Sequence, residues 1–221
     1  MIPTMTRQTR TRPKRANHRA TPPAARAKKN SGPSILVVGL TGPNASGKGE
    51  VAKFLAAHGF GVFSLSDVVR EEATRQGLDH SRDSLIRVGV EMRSRDGPGA
   101  LARSVLPRLE RRVVVDSIRN PGEVEVLRTL PRFLLLGVDA PQPLRFQRSA
   151  RRGRPGDGAT LEEFARKEAL ENSGTEAGQQ LLKTLGLADV VVFNDGTIEA
   201  LHVKVRDALR ARRLVLRGAR S

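Results

Sequence analysis

The stretch VVGLTGPNASGKGEVAKFL, residues 37–55, constrains the fold of this chain more than any other part of the sequence. Gly42 and Gly47 bracket four residues, and Lys48 follows at once. An apolar run precedes the glycines, and apolar residues recur with helical spacing after them. The pattern is therefore typical of a phosphate-binding loop that joins a buried strand to a helix.

Such a loop binds phosphates mainly through its backbone. Glycine lets the N–H groups turn inward, the following helix adds positive potential, and Lys48 supplies a charge for the β and γ phosphates. A chance glycine-rich turn before a helix is the alternative, but here the strand and the helix stand where the motif requires them. The expected nucleotide-binding residues are Gly42, Asn44, Ala45, Ser46, Gly47, Lys48, Gly49 and Glu50.

Gly49 stands where the motif usually carries a Ser or Thr whose hydroxyl holds Mg²⁺. We expect the metal to be held instead through water molecules, phosphate oxygens and a distant carboxylate. Asp116 is the candidate, because it ends the apolar run RVVVD and such strand ends face the ligand crevice of parallel sheets. The alternative is an Asp that merely caps the next turn.

From Ser34 onward, short β-branched runs alternate with amphipathic stretches, which predicts parallel strands joined by helices. Candidate strands are residues 34–40, 61–65, 112–116, 132–138 and 189–193. Helices are expected near Lys48, around residues 85–92, after Asn120-Pro121, and in the segment that starts at Asn194. The fold class is therefore α/β, a five-stranded parallel sheet with helices on both faces.

Composition excludes several kinds of chemistry. The chain has no Cys and only four scattered His, which argues against disulfides, thiolate zinc sites and His-based metal clusters. No segment approaches the length of a membrane span. There is no Trp or Tyr and only seven Phe, so a dedicated binder of single-stranded nucleic acid is not indicated.

The net charge of +16 is concentrated in residues 1–33, which hold nine Lys or Arg and no Asp or Glu. We interpret this segment as a disordered basic arm, since it has no apolar face to bury. A solvated tail, weak nucleic-acid contact, targeting, or an over-extended start before Met5 all remain open. Residues 34–211 are expected to form the folded domain and 212–221 a basic C-terminal tail.

Two further charged groups are candidates for catalysis. Asp67 ends the second predicted strand, and Arg70 follows one helical turn later, so the pair can orient an acceptor and bind its phosphate. The alternative is a helix cap beside a solvated Arg. A second group, Arg148, Arg151, Arg152 and Arg154, precedes a break at Pro155, Gly156 and Gly158, which favours an arginine lid at 148–158 over a solvated loop.

Gly-Lys-Gly at 47–49, as in adenylate kinases, and four more segments carry a resemblance to a known family. The segments are LSDVVREE (65–72), EMRSRDGPGALA (91–102), VDSIRNPGEVE (115–125) and ADVVVFNDG (188–196). Over residues 34–210 the chain resembles small P-loop kinases related to adenylate, cytidylate and dephospho-coenzyme A kinases. The resemblance implies a three-layer P-loop NTPase fold with strand order 2-3-1-4-5, a helical acceptor insert at 72–110 and an Arg lid.

The resemblance also implies site residues and an activity. Arg93 and Arg119 would join Asp67 and Arg70 in binding the acceptor, and Asn194 and Gly196 would lie near the donor base. Lys48, Asp67, Arg148 and Arg152 would be catalytic, with ATP and Mg²⁺ as cofactors. We expect a monomeric, cytoplasmic enzyme without a membrane segment, acting on small nucleotide substrates.

The acceptor itself stays open. A nucleoside monophosphate is the leading candidate, dephospho-CoA is the second, and a nucleic-acid-associated P-loop NTPase is a third reading.

Overall fold

The computed structural model describes residues 35–153, 156–172, 174–216 and 218, so the basic arm, Arg154 and Pro155 lie outside the described residues. Five strands form one parallel sheet in the order β2-β3-β1-β4-β5. The strands are β1 Leu36–Thr41, β2 Gly61–Ser64, β3 Arg112–Ile118, β4 Phe133–Asp139 and β5 Val190–Phe193. The predicted fold class and strand order are confirmed.

Nine α-helices surround the sheet in the described part of the chain. They are α1 Lys48–Ala57, α2 Leu65–Arg75, α3 Arg82–Asp96, α4 Ala100–Val105, α5 Pro121–Arg128, α6 Gln142–Arg152, α7 Leu161–Asn172, α8 Leu181–Gly186 and α9 Ile198–Ala211. A single 3-10 turn at Leu106–Arg108 follows α4. None of the described helices is long and apolar enough to cross a membrane.

The strands are apolar on both faces because helices cover both faces. On one face Val38, Leu40 and Val114 pack with α1 and α9, and on the other Val37 and Val115 pack with α2 to α5. Successive strand residues point to opposite faces, so a short run of Val and Leu supplies both cores at once. The result is the three-layer arrangement that the sequence predicts.

Local sequence explains where two helices begin. Asn120 accepts a bond from the backbone N–H of Gly122, Glu123 accepts one from that of Asn120, and Pro121 starts α5, as predicted from Asn120-Pro121. The last helix begins later than Asn194, because Thr197 caps α9 by accepting from the backbone N–H of Ala200.

The predicted insert, residues 72–110, is helical throughout most of its length and contains the end of α2, all of α3 and α4, and the 3-10 turn. The first part of the predicted lid is the last turn of α6, and Gly153 ends that helix with a left-handed φ of 64°. Of the predicted C-terminal tail, only residues 212–216 and 218 are described.

Candidate active site

The loop between β1 and α1 folds around the ammonium group of Lys48. Gly42, Ala45 and Gly47 have positive φ values of 135°, 56° and 109°, which turn the backbone inward. The Nζ atom of Lys48 donates to the carbonyl oxygens of Gly42 and Pro43, at 2.8 Å each. The loop is therefore closed around a buried cation at the start of a helix, which is an anion-binding arrangement.

Two side chains from later in the chain brace this loop. Asn194 donates from Nδ2 to the carbonyl oxygen of Ser46 at 2.8 Å, and its own backbone N–H donates to the backbone carbonyl oxygen of Asp139. Arg145, which the sequence analysis missed, donates from Nη1 to the carbonyl oxygen of Asn44 at 3.3 Å. The structure thus places Asn194 directly against the loop, where it fixes the backbone of Ser46.

Burial lowers the pKa of Lys48 to about 7, and the nearby charge of Arg119 acts in the same direction. Asp116 opposes the shift, while Arg145 and Arg152 add to it. The loop therefore lies in a region of concentrated positive charge, and a bound polyphosphate would favour the charged form of Lys48.

The remaining predicted nucleotide-binding residues have separate environments. Glu50 lies in the first turn of α1 and forms an ion pair with Lys53 at 2.8 Å on the surface. Gly196 is exposed beyond the end of β5. The Nη2 atom of Arg148 donates to the carbonyl oxygen of Asn194 at 3.1 Å. Burial lowers the pKa of Arg148.

Two polar atoms around this loop are orphaned. Ser46 Oγ and Arg148 Nη1 are buried and have no hydrogen-bond partner among the described residues. A buried polar group without a partner is costly, so both atoms fit a polar ligand such as a nucleotide beside the loop.

Asp116, the predicted magnesium carboxylate, lies close enough to the loop for its charge to act on Lys48. Asp116 lies in β3, which continues two residues further than predicted, to Ile118. Its Oδ1 atom accepts from the backbone N–H of Ser117 at 2.6 Å. Among the described residues there is no group of three or more His, Asp or Glu that could hold a metal ion directly. One carboxylate beside a phosphate loop fits outer-sphere magnesium binding.

A cavity of about 850 Å³ opens beside the loop, between α2, α3 and the residues that follow β3. Its wall includes three predicted acceptor-binding residues, Arg70, Arg93 and Arg119, and also Asn44 of the loop and Arg152. Apolar residues of the wall are Leu65, Val69, Leu85, Ile86 and Leu101. The structure therefore brings three of the four predicted acceptor residues together, next to the nucleotide loop.

Asp67 does not line this cavity. Its side chain is 63% exposed, and Oδ1 accepts from Nη1 of Arg70 at 2.5 Å. Arg70 also donates to Ser66 Oγ at 3.0 Å. The ion pair predicted from the one-turn spacing is present, and through Arg70 it reaches the edge of the cavity.

Arg93 and Arg119 are held by partners of their own. Arg93 is almost fully buried and donates from Nε and Nη2 to Oε1 of Glu123, at 3.0 and 2.7 Å. Arg119 donates from Nη1 to Gln179 at 2.8 Å. Burial is the largest cause that lowers the pKa of Arg119, with Glu171 opposing it. Arg93 is thus chiefly a structural cation in this conformation, whereas the described bonds of Arg119 engage only part of its guanidinium.

Asp157 connects two residues of the predicted lid with the nucleotide loop. It accepts from Asn44 Nδ2 at 3.2 Å, from Ser149 at 2.5 Å and from Arg152 at 2.7 Å, and it forms an ion pair with Arg82 of α3. Burial opposes the shift, but these bonds lower the pKa of Asp157. Arg152 also donates to Asn44 Oδ1 at 3.0 Å. Asp157 lies within the predicted lid at 148–158, but neither Asp157 nor Arg82 was among the predicted site residues, because neither belongs to a motif.

A family model described as an AAA domain matches residues 41–165. A UPF0200 protein of Pyrococcus horikoshii is 35% identical over 180 residues, which are 77% of this chain and 92% of that protein. A UPF0200 protein of Aeropyrum pernix is 37% identical over 182 residues, which are 80% and 94% of the two chains.

Solved structures share the fold. TT1252 from Thermus thermophilus has a TM-score of 0.56 and 23% identity, and the match covers 81% of this chain and 98% of that one. A shikimate kinase from Acinetobacter baumannii, solved with shikimate, has a TM-score of 0.53 and 14% identity, with 82% and 97% covered. The expected resemblance to small P-loop kinases is confirmed, and at these identities it concerns the fold alone.

We predict opposite effects for two glycines of the loop. A Cβ on Gly42 would lie 2.0 Å from the carbonyl oxygen of Val138, and the φ of 135° is strained for any other residue. Gly42→Ala should therefore lose nucleotide binding and at least about 1–3 kcal/mol of stability. A Cβ on Gly49 meets nothing within 4 Å, so Gly49→Ala should keep binding and gain about 0.5–1 kcal/mol in α1. Urea unfolding and nucleotide titration check both variants, and equal losses would contradict the loop geometry.

The lowered pKa of Lys48 predicts that nucleotide binding takes up a proton. Bound phosphates raise this pKa. The favourable contribution of charged Lys48 to ATP binding is therefore complete below about pH 7, and it is lost as the pH rises through the higher pKa that Lys48 has in the complex. At pH 8, ATP binding should take up roughly one proton, and at pH 6 almost none. Calorimetry in buffers of different ionisation enthalpy measures the uptake. Lys48→Arg, which stays charged, should abolish it at both pH values, and equal uptake in both proteins would contradict the assignment.

Proposed function

We propose that this chain, which belongs to the UPF0200 family and contains an AAA domain, transfers the terminal phosphoryl group of ATP to a small nucleotide-like acceptor. A kinase-like P-loop fold supports the phosphotransferase part of the proposal. A nucleoside monophosphate is the acceptor that we favour, and dephospho-CoA is the alternative.

One observation carries the proposal: the nucleotide loop and the arginine-lined cavity share a wall. Asn44 belongs to the loop, and both Asn44 and Arg152 line the cavity. A terminal phosphate beyond Lys48 would therefore face an acceptor in the cavity. The volume of about 850 Å³ lies within the range of small-ligand sites and suits a nucleotide-sized molecule.

The loop and α6 are suited to hold the donor. Lys48 can move from the carbonyl oxygens of its own loop to the β and γ phosphate oxygens. Its hydrogen-bond partners then change from neutral carbonyl groups to charged oxygens, which bind an ammonium group more strongly. Ser46 Oγ and Arg148 Nη1 are available for further bonds. We assign Arg148 to the donor nucleotide, and Asn194 with Gly196 to the rim beside its base.

The cations that meet at Asp157 are suited to the phosphoryl group in transfer. In the proposed reaction an acceptor oxygen attacks the γ-phosphorus, the bond to the β-phosphate oxygen breaks, and ADP leaves. Arg152 and Arg82 now neutralise Asp157, and they would neutralise the transferring oxygens once this carboxylate gives way to phosphate. Arg119 and Arg70 would bind the anionic group of the acceptor, and Asp67 would orient Arg70.

Mg²⁺, when bound, supplies charge to the β and γ phosphates. Asp116 would hold its water molecules, since Gly49 offers no hydroxyl in this chain.

The test of the proposed function is a panel of acceptors. AMP, CMP, GMP, UMP and dephospho-CoA are each incubated with the full chain, ATP and Mg²⁺, and ADP and the phosphorylated product are measured. At least one acceptor should be phosphorylated. Lys48→Ala should lower kcat by about 10²–10³, because a cation aimed at the transferring group is lost.

Lys53→Ala is the matched control, since Lys53 lies on the same helix but pairs with Glu50 in solvent. Its kcat should stay within about twofold of the wild-type value. Hydrolysis of ATP that DNA or RNA stimulates, with no acceptor phosphorylated, would overturn the kinase proposal. Phosphorylation of dephospho-CoA alone would replace the favoured acceptor by the alternative.

A second prediction separates Asp116 from Asp67. Asp116→Asn should weaken outer-sphere magnesium binding, so raising Mg²⁺ should restore part of the lost rate. Asp67→Asn loosens Arg70 and should raise the KM of the acceptor at every Mg²⁺ concentration. Rate against Mg²⁺ concentration is measured for both variants, and rescue of Asp67→Asn alone would reverse the two assignments.

A further inference from the structure

Glu171 of α7 is a buried carboxylate in the wall of the acceptor cavity, and only one of its two oxygens has a hydrogen-bond partner in the described part of the chain. Its side chain is 5% exposed. Oε1 accepts from Nε of Arg82 at 2.8 Å and lies 2.7 Å from Nη2 of the same residue. Oε2 is buried and has no hydrogen-bond partner among the described residues. The Nη1 atom of Arg119 lies 4.0 Å from it.

Glu168, one turn earlier on the same helix, shows how a structural glutamate is satisfied here. Its Oε1 atom forms an ion pair with Arg145, and its Oε2 atom accepts from Gln142 at 3.0 Å. Both oxygens of Glu168 therefore have partners, and through Arg145 this side chain supports the nucleotide loop. In Glu171, by contrast, only Oε1 has a hydrogen-bond partner among the described residues, and Glu171 lines the cavity.

An ionised carboxylate only accepts hydrogen bonds, and a buried acceptor without a partner costs free energy. A ligand that brings an O–H or N–H group to this oxygen would satisfy it. Arg119 lies beside it, and its described side-chain bond, to Gln179, uses Nη1 alone. A molecule bound here meets a cation and a hydrogen-bond acceptor about 4 Å apart.

We propose that Glu171 determines the specificity for the acceptor: Oε2 accepts a hydrogen bond from a hydroxyl or amino group, while Arg119 binds the anionic group of the same molecule. The acceptor is thus an anion that carries a hydrogen-bond donor within a few bonds of its charge. This inference rests on the proposed function, because it concerns the acceptor of that reaction.

The test uses acceptor nucleotides with single donors removed. AMP, CMP, GMP, UMP and dephospho-CoA are first assayed for phosphorylation by the wild-type chain. The best substrate is then compared with its 2′-deoxy, 3′-deoxy and N-methylated forms, in the wild type and in Glu171→Gln. Because Oε1 stays with Arg82, the Gln amide nitrogen takes the place of Oε2 and presents a donor to a donor.

Glu171→Gln should raise the KM of the parent acceptor at least about tenfold and leave the KM of ATP unchanged. One of the analogues should show a similar rise with the wild type, and the variant should add almost nothing to it, since both changes remove the same bond. Glu162→Gln, an exposed glutamate of the same helix, is the matched control and should change neither constant. If Glu171→Gln fails to fold, Glu171→Asp, which keeps the charge and withdraws the oxygen, takes its place in the same cycle.

Additive effects for every analogue, or an unchanged KM, would overturn the inference while the kinase function stands. Phosphorylation of none of the acceptors by the wild type would overturn the proposed function itself. The two failures are therefore distinguished by the first assay.

Discussion

The burial of Lys48 inside its own loop is the constraint on which the rest of the site depends. A buried ammonium is costly unless it is hydrogen-bonded, and the carbonyl oxygens of Gly42 and Pro43 meet that need. They can turn inward because Gly42 adopts a φ of 135° against the backbone of Val138, where a side chain would not fit. Strand β4 therefore shapes the loop, and the loop fixes the position of the cation.

Positive charge is concentrated around this cation, and buried carboxylates balance it. Glu168 pairs with Arg145, Asp157 with Arg152, and Glu123 with Arg93. Removing either partner of such a pair would leave an uncompensated charge in the interior. A phosphate that reaches Arg152 must compete with Asp157, so binding exchanges one anion for another. Because these carboxylates neutralise them, several arginines can lie close together even when no anionic ligand is bound.

The fold could be predicted from sequence because its signals are local. Each strand was located within two residues, since a β-branched run between turns is a property of neighbouring residues. The end of β3 was misplaced because the strand is extended by its pairing, as Ile118 lies opposite Thr41 across a register shift. The strand order came from the resemblance to P-loop kinases, and not from the pattern itself.

The site was predictable only where its residues are consecutive or belong to a motif. The loop at 42–50 met that condition, the one-turn spacing after Asp67 supplied Arg70, and the resemblance supplied Arg93 and Arg119. Arg82, by contrast, meets Asp157 across 75 positions and Glu171 across 89, and single arginines and glutamates in amphipathic helices look like solvated residues. Their roles depend on tertiary packing, which periodicity does not encode.

Helix α7 fixes both sides of Asn44 through two glutamates one turn apart. Glu168 holds Arg145, which bonds the backbone carbonyl of Asn44, and Glu171 holds Arg82, whose partner Asp157 accepts from the side chain of Asn44. The amide oxygen of Asn44 also accepts from Arg152. Since the loop and the cavity share Asn44, the proposed donor and acceptor sites would be positioned relative to each other by this one helix.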